Sequence, residues 1–103
     1  MNFNNTGYST QGYANEIPLV VQLMISSMLH KRIEDKKEVD YLQVFKLSRE
    51  TSSNGVVSQK IVHKQEVPPL EDVCYLITDE AVNETVFCID DETHHTFLLS
   101  REY

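Results

Sequence analysis

The chain has 103 residues, of which 41% are hydrophobic and 24% charged, a composition typical of one globular domain over residues 1–103. Its formal net charge of -7 argues against binding to free nucleic acid, and its three glycines and three prolines exclude collagen and low-complexity sequence. No apolar run reaches the roughly 18 residues of a membrane span, and the first residues lack the features of a signal peptide, so we expect a cytoplasmic protein that does not bind membranes.

The first 35 residues predict an arm followed by a helix. Residues 1–15 are polar with interspersed aromatic side chains, and we expect a loose arm with one short strand near Tyr8 to Gly12. From Pro18, apolar residues recur at intervals of three and four as far as Leu29, which is the pattern of an amphipathic helix. The basic pair Lys31 and Arg32 suits the carboxyl end of its dipole.

Two further details of this helix lead to expectations about its surroundings. Leu19 and Leu23 widen the apolar stripe, so we expect the helix to be covered on more than one side. Met24 and Met28 are better explained as filling of the core than as an adaptable binding groove.

After a charged turn at residues 34–38, β-prone runs dominate the chain. The runs cover 40–50, 56–67, 73–78, 85–89 and 96–101. Asn54-Gly55 predicts a hairpin between the first two runs, and the short later connections favour further hairpins over helical crossovers. We therefore predict an α+β fold, in which an antiparallel meander of about five to six strands, the sixth from the arm, carries one helix on one face.

The two cysteines, Cys74 and Cys88, lie in apolar runs without metal-ligand spacing. We expect both to be reduced thiols that pack as small hydrophobic residues. A hairpin around residues 79–84 would place them nearly opposite each other, so oxidation in vitro would then bridge them. A redox pair is the functional alternative, although no nearby group lowers a thiol pKa.

The negative charge is concentrated in the second half of the chain. Nine carboxylates and no Lys or Arg lie between Glu66 and Glu92, and the main basic cluster runs from Lys31 to Lys37. Such a run is either a solvated face or a docking surface for a basic protein. The candidate docking residues are Asp79, Glu80, Glu84, Asp90, Asp91, Glu92, Glu71 and Asp72.

Within a meander, turns separated by one strand lie at opposite ends of the sheet. We therefore expect Asp79–Glu84 and Asp90–Glu92 to make two separate contacts, the second sharing its end with Glu71 and Asp72. We also expect removal of the charges of residues 90–92 to change the free energy of unfolding by only a few tenths of a kcal/mol, as at ordinary surface positions.

Motifs that carry catalysis are weak in this sequence. His94 and His95 follow three carboxylates, but neighbours on a strand point to opposite faces and cannot both bind one metal without a bulge. His63 and Glu66 are separated by three positions on a strand and also face opposite ways. With no phosphate-binding glycine loop or nucleophile elbow, we predict no enzymatic activity, no metal site and no cofactor.

Four segments of the chain resemble a known family. NEIPLVVQL at 15–23, DYLQVFKLS at 40–48, QKIVHKQEVPP at 59–69 and VFCIDDETHHTFLLSREY at 86–103 are similar to successive blocks of the domain of unknown function numbered 960. That family comprises small bacterial proteins, mainly from Firmicutes and their mobile elements, and its label implies no activity. The chain departs from the family at Leu70, where an aromatic residue is usual, and at Glu92, where glycine is usual and eases a turn.

In size, acidity and family background, the chain also resembles small anti-CRISPR proteins directed at the type II, guide-RNA-dependent Cas nuclease. This resemblance implies an inhibitor that binds the nuclease or prevents it from engaging guide RNA or DNA. An acidic edge would occupy a basic channel of the nuclease, and long-range attraction would speed association. The alternatives are a non-enzymatic interaction module with an unknown partner and a small metal-dependent nuclease.

Overall fold

The computed structural model describes residues 3, 5–35 and 38–103. The elements within these residues are β1 (Thr6–Ser9), α1 (Gln11–Glu16), α2 (Leu19–Glu34), β2 (Leu42–Thr51), β3 (Val57–Gln65), β4 (Leu70–Ile77), β5 (Glu84–Asp90), β6 (His94–Leu99) and a short 3-10 helix at Ser100–Glu102. The strands form one sheet, and α2 packs on one of its faces, which confirms the α+β class. Lys36 and Lys37, part of the predicted charged turn and basic cluster, lie outside the described residues.

The strand order is β1-β6-β5-β2-β3-β4, so the predicted meander is wrong. Strand β4 lies at one edge, whereas the next strand, β5, pairs with β2 in the interior of the sheet. Strand β1 pairs parallel to β6, and the other pairs are antiparallel. The short link between β4 and β5 suggested a hairpin. Alternating hydrophobicity, however, determines which face of a strand is buried and does not determine which strand it pairs with.

The link between β4 and β5 crosses the ends of β3 and β2 and is held there by two side chains. The buried amide of Gln59 accepts a hydrogen bond from the Val82 backbone N–H at 2.7 Å and donates one to the Val82 carbonyl at 3.0 Å. The Arg49 guanidinium donates to the carbonyls of Asp79 and Ala81 at 2.9 and 3.1 Å. These bonds satisfy backbone groups that a hairpin ladder would otherwise pair.

The crossover also separates the two cysteines, so their predicted juxtaposition is wrong. Cys74 lies on edge strand β4 and Cys88 on β5, with β3 and β2 between them. Three strand spacings amount to about 14 Å, twice the roughly 7 Å that a disulfide tolerates between Cα atoms. Cys88 is buried under the helix, and this burial raises the pKa of its thiol.

The described part of the arm is built into the fold and is not loose. Strand β1 provides the sixth strand, at Thr6–Ser9, slightly before the predicted position. The Thr10 hydroxyl then caps α1 by accepting a hydrogen bond from the Tyr13 N–H at 3.2 Å. Tyr13 is buried and stacks on Phe97 with a centroid distance of 5.3 Å. With six residues, α1 is too short for its apolar period to show in the sequence.

Helix α2 follows the prediction closely, but its surroundings do not. It starts after Pro18 and buries Val21, Ile25 and Leu29 against the sheet. Leu19 and Leu23 are 68% and 63% exposed, so the expectation that they are covered is wrong. The sheet covers this helix from one side, and the described residues place no second layer over it. Neither helix in the described part of the chain has the length and apolar character to cross a bilayer.

The hairpin between β5 and β6 contains a residue in the left-handed region. Glu92 has a φ of +80°, which costs little for glycine and considerably more for residues with a Cβ. We expect Glu92→Gly to raise the free energy of unfolding by about 1 kcal/mol, measured by urea denaturation. Glu92→Ala removes the same charge but keeps the Cβ, so it should not give this increase. Equal stability of the two variants would contradict the role of the backbone angle.

Candidate functional site

The sheet face opposite α2 has no helix packed on it among the described residues. Alternation along the strands places on it the neighbours of the core residues Phe45 and Ile61. We call this surface the open face. Its apolar and basic residues are Tyr8, Leu42, Val44, Lys46, Lys60, Val62, Lys64, Val73, Tyr75, Ile77, Phe87, Ile89 and Leu98, and it also includes Glu71, Ser48, Ser58, Thr85 and Thr96.

Apolar side chains on the open face are exposed at both edges of the sheet. On β4, Val73, Tyr75 and Ile77 are 49%, 59% and 77% exposed. At the opposite edge, Tyr8 on β1 is also more than half exposed and packs edge-on against the His94 ring at 5.1 Å. Soluble proteins rarely expose contiguous apolar surface of this kind without a use for it.

The centre of the open face is basic, although the whole chain is acidic. Lys46, Lys60 and Lys64 project from the central strands β2 and β3. The Lys60 Nζ lies 5.9 Å from the centroid of the Tyr75 ring, and the Lys64 Nζ lies 3.4 Å from a Glu71 carboxylate oxygen. A groove of about 280 Å³ at one end is lined by Lys46 and Lys64 and, opposite in charge, by Asp40 and Glu66. The sequence signal for this surface is that β2 is apolar at both its odd and even positions.

The two acidic turns lie at opposite ends of the sheet, in agreement with the prediction. Asp79 and Glu80 are exposed in the crossover, and Asp91 and Glu92 are exposed in the hairpin between β5 and β6. Glu84 is different, because it is half-buried at the start of β5 and lies 3.4 Å from the guanidinium of Arg101.

Asp90 is not a surface carboxylate. It is buried and accepts hydrogen bonds from the Phe3 N–H at 3.1 Å, the Asn5 side-chain amide at 2.8 Å and the Glu92 N–H at 3.1 Å. Burial raises its pKa, but the hydrogen bonds from Asn5, Glu92 and Phe3 outweigh burial and hold the pKa below its usual value. Asp90 thus ties the arm to the sheet, and the expected few tenths of a kcal/mol does not apply to a change at this residue.

The last two predicted docking residues already have basic partners. Glu71 pairs with Lys64, and an Asp72 oxygen lies 2.8 Å from the buried guanidinium of Arg32. Both lie at the same end of the sheet as Asp90, as predicted. They are on β4 and Asp90 is on β5, so strands β2 and β3 separate them. The predicted docking carboxylates are therefore spread over three places rather than forming one continuous strip.

A polar network missed by sequence reasoning lies between α2 and the sheet. The Arg32 guanidinium donates to the Gln43 side-chain oxygen at 3.0 Å, to the His63 carbonyl at 3.1 Å and to Asp72. The Gln43 oxygen also lies 2.6 Å from His63 Nε2, and the Gln43 amide donates to Gln65 at 2.8 Å. Arg32, Gln43, His63 and Gln65 are all buried. The available signal was the polar residues Gln43, His63 and Gln65 at positions that share the alternation of the core residues Phe45 and Ile61.

The histidines do not form a catalytic or metal centre with their predicted neighbours. His63 is fully buried and stacks on Phe45 at 4.1 Å, whereas Glu66 is exposed. His94 pairs with Asp91 at 3.0 Å, and His95 Nδ1 lies 2.7 Å from the Asn5 amide oxygen. Among the described residues, no group of three or more His, Cys, Asp or Glu side chains is arranged to hold a metal ion.

Burial makes His63 a source of acid sensitivity. Burial first, and the nearby Arg32 charge second, lower its pKa to about 3, whereas an unfolded histidine titrates near 6.5. Below about pH 6.5 the unfolded chain therefore binds a proton that the folded chain cannot, and the free energy of unfolding falls by up to about 1.4 kcal/mol per pH unit. This loss is absent above that pH and continues toward pH 3.

We expect His63→Gln to reduce the slope of stability against pH between about pH 6.5 and 4.5, measured by urea unfolding at each pH. The matched control is Gln59→Asn, a change at another buried residue of β3 that removes no titratable group and should therefore keep the wild-type slope. Burial also lowers the pKa of His95, so His95 adds to the loss of stability at acid pH. The contribution of His63 is therefore the difference in slope between the wild type and His63→Gln. An unchanged slope in His63→Gln would contradict this assignment.

Comparison with known proteins extends the structural description. A crystal structure of a protein of unknown function from Enterococcus faecalis has the same fold, with a TM-score of 0.76 and 19% sequence identity, over 100% of this chain and 96% of that chain. At this identity, the likeness concerns the fold alone. No curated protein matches the sequence. A family model described as "Staphylococcal protein of unknown function (DUF960)" matches residues 6–102. Since that match covers nearly the whole chain, the protein belongs to the DUF960 family.

Proposed function

We propose that the protein is a non-enzymatic interaction module that binds another protein through the open face. The observation that supports this proposal is the two-layer architecture, in which the described residues cover one face of a six-stranded sheet and leave the other exposed. An isolated sheet face with exposed Val73, Tyr75 and Ile77 carries a hydrophobic penalty that a partner would remove.

The size of the open face suits a protein ligand. Five inter-strand spacings of about 4.8 Å and strands of about 20 Å give a platform of roughly 24 by 20 Å. Side chains raise its accessible area above this flat value, toward the roughly 800 Å² that each partner buries in a standard interface. Aromatic residues, here Tyr8 and Tyr75 at the two edges and Phe87 between them, are enriched in such interfaces.

The charges of the open face define the chemistry of the partner. Lys46 and Lys60 stand among apolar side chains, and Lys64 already has a carboxylate neighbour. The complementary surface is apolar and carries one or two carboxylates placed over these lysines. Three lysines are few for binding phosphate backbones, so free RNA or DNA is not part of the proposal. We place the interaction in the cytoplasm, where both thiols stay reduced.

Two exposed apolar residues on opposite surfaces test this proposal. Tyr75→Asp alters the open face, and Leu23→Asp alters the exposed side of α2 as a matched control. A partner isolated with the wild-type chain from a staphylococcal lysate is purified, and its affinity for each variant is measured by calorimetry. We expect Tyr75→Asp to weaken binding by about a hundredfold, because it places a charge in apolar surface that the partner would bury, and Leu23→Asp to leave it unchanged. The reverse order would move the binding surface to the helix.

Inhibition of the type II guide-RNA-dependent Cas nuclease is the second candidate function, suggested by the acidic character of both ends of the sheet. Asp79 with Glu80, and Asp91 with Glu92, are exposed carboxylate pairs, and within the second pair Asp91 also accepts hydrogen bonds from the Thr93 and His94 N–H groups and pairs with His94. Such pairs at an interface rim act mainly on the association rate and its salt dependence. A metal-dependent nuclease is not proposed, because His63 is buried and His94 and His95 face opposite sides of the sheet.

The inhibitor hypothesis is tested by neutralising each pair. Asp79→Asn with Glu80→Gln, and Asp91→Asn with Glu92→Gln, keep side-chain shape while removing charge. The control is Glu34→Gln with Asp35→Asn, an exposed pair at the end of α2. We expect each acidic-turn variant to inhibit target cleavage by the nuclease more slowly, with a larger loss at about 50 mM than at about 200 mM salt. Absence of inhibition by the wild-type chain would exclude this function and leave the interaction module untouched.

A further inference from the structure

A cavity of about 300 Å³ lies between helix α2 and edge strand β4. Three of its lining side chains carry sulfur, namely Met24, Met28 and Cys74. Met24 and Met28 are one helical turn apart and therefore project from the same side of α2. Cys74 approaches them from the sheet, and its Sγ lies 3.6 Å from the Sδ of Met24. Helix and sheet thus bring two thioethers and one thiol to a single cavity.

We propose that these three sulfur atoms form a binding site for monovalent copper. Thiolate and thioether ligands are soft, and among biological cations they favour Cu(I) over Ca²⁺, Mg²⁺ and Mn²⁺, which prefer oxygen. The inference is independent of the open face, because the cavity lies on the helix side of β4.

The observed spacing is close to what such a site requires. Two sulfur ligands at about 2.3 Å from one metal ion, separated by a tetrahedral angle, lie about 3.8 Å apart. The 3.6 Å between Cys74 Sγ and Met24 Sδ therefore needs only a small outward movement of the two side chains. Methionine has an unbranched and adaptable side chain, so Met28 can supply the third sulfur by a change of rotamer.

The charge balance of the cavity also permits a monovalent cation. On binding, the Cys74 thiol releases its proton to solvent, a sulfur–copper bond replaces the sulfur–hydrogen bond, and the thiolate–Cu(I) unit is neutral. The two basic side chains that line the cavity, Lys31 and Arg32, each pair with a carboxylate, at 3.1 and 2.8 Å. The copper unit thus adds no net charge beside them.

Cys74 is suited to this chemistry and Cys88 is not. Cys74 is a free cysteine, partly exposed at the cavity. Cys88 is fully buried in the hydrophobic core on β5, and strands β2 and β3 lie between it and Cys74. The substitution Cys88→Ala therefore serves as the matched control for Cys74→Ser.

The test uses the full reduced chain without oxygen. Cu(I), supplied as its acetonitrile complex, is titrated in competition with bicinchoninate. We expect one equivalent to bind with a near-ultraviolet thiolate-to-copper absorption, and X-ray absorption at the copper edge to show sulfur neighbours alone. Cys74→Ser should lower the affinity by about a hundredfold, and Met24→Leu and Met28→Leu by about tenfold each. Methionine-to-leucine changes nearly conserve volume, so these variants should retain the fold.

Cys88→Ala should bind copper as the wild type does, and circular dichroism checks that every variant is folded. Wild-type affinity in Cys74→Ser would overturn the proposal. It would equally be overturned if both methionine variants bound as tightly as the wild type, since the thiol alone would then account for binding. Nitrogen or oxygen neighbours at the copper edge would assign the metal to another place in the chain.

Discussion

The buried guanidinium of Arg32 is the interaction on which the arrangement of the layers depends. A charge placed between a helix and a sheet is strongly unfavourable unless hydrogen bonds and an opposite charge surround it. Gln43, the His63 carbonyl and Asp72 provide these partners from three neighbouring strands. They fix the last turn of α2 over β2, β3 and β4, and they form a buried polar cluster at this end of the helix side of the sheet.

This single attachment produces two different surfaces. On the helix side, α2, α1 and Phe3 of the arm close the hydrophobic core. The edge near β4 keeps a cavity lined by three sulfur-containing side chains. On the other side, the described residues place no helix layer over the sheet, so Val73, Tyr75 and Ile77 on β4 are exposed, whereas Leu98 is buried and Phe87 is half-buried against the Tyr103 ring. A one-helix layer cannot wrap a six-stranded sheet, because a helix is about 10 Å wide and the sheet about 24 Å. Because the helix is narrower than the sheet, part of the sheet stays accessible for binding.

The charge distribution shows why net charge is a weak guide to a binding site. The total of -7 includes Asp90, which is buried and holds the arm, and Glu71, Asp72 and Glu84, which have basic neighbours. Three lysines gather on the open face because strand pairing brings them together from two separate runs. Electrostatic character belongs to surfaces, and surfaces are assembled from residues that are distant in the chain.

The sequence alone determined the features that depend on local periodicity: helix α2, the Asn54-Gly55 hairpin, the approximate positions of the five later strands and the α+β class. Intervals of three and four residues, alternation, and a glycine with positive φ act over a few residues and need no distant partner. The tertiary structure decided the crossover from β4 to β5, the burial of Asp90 and the coverage of α2. In each case, the deciding contact joins residues far apart in sequence, such as Gln59 with Val82 or Asp90 with Phe3, and the side chains that accept these bonds, glutamine and aspartate, are of types that usually lie on solvent-exposed surfaces.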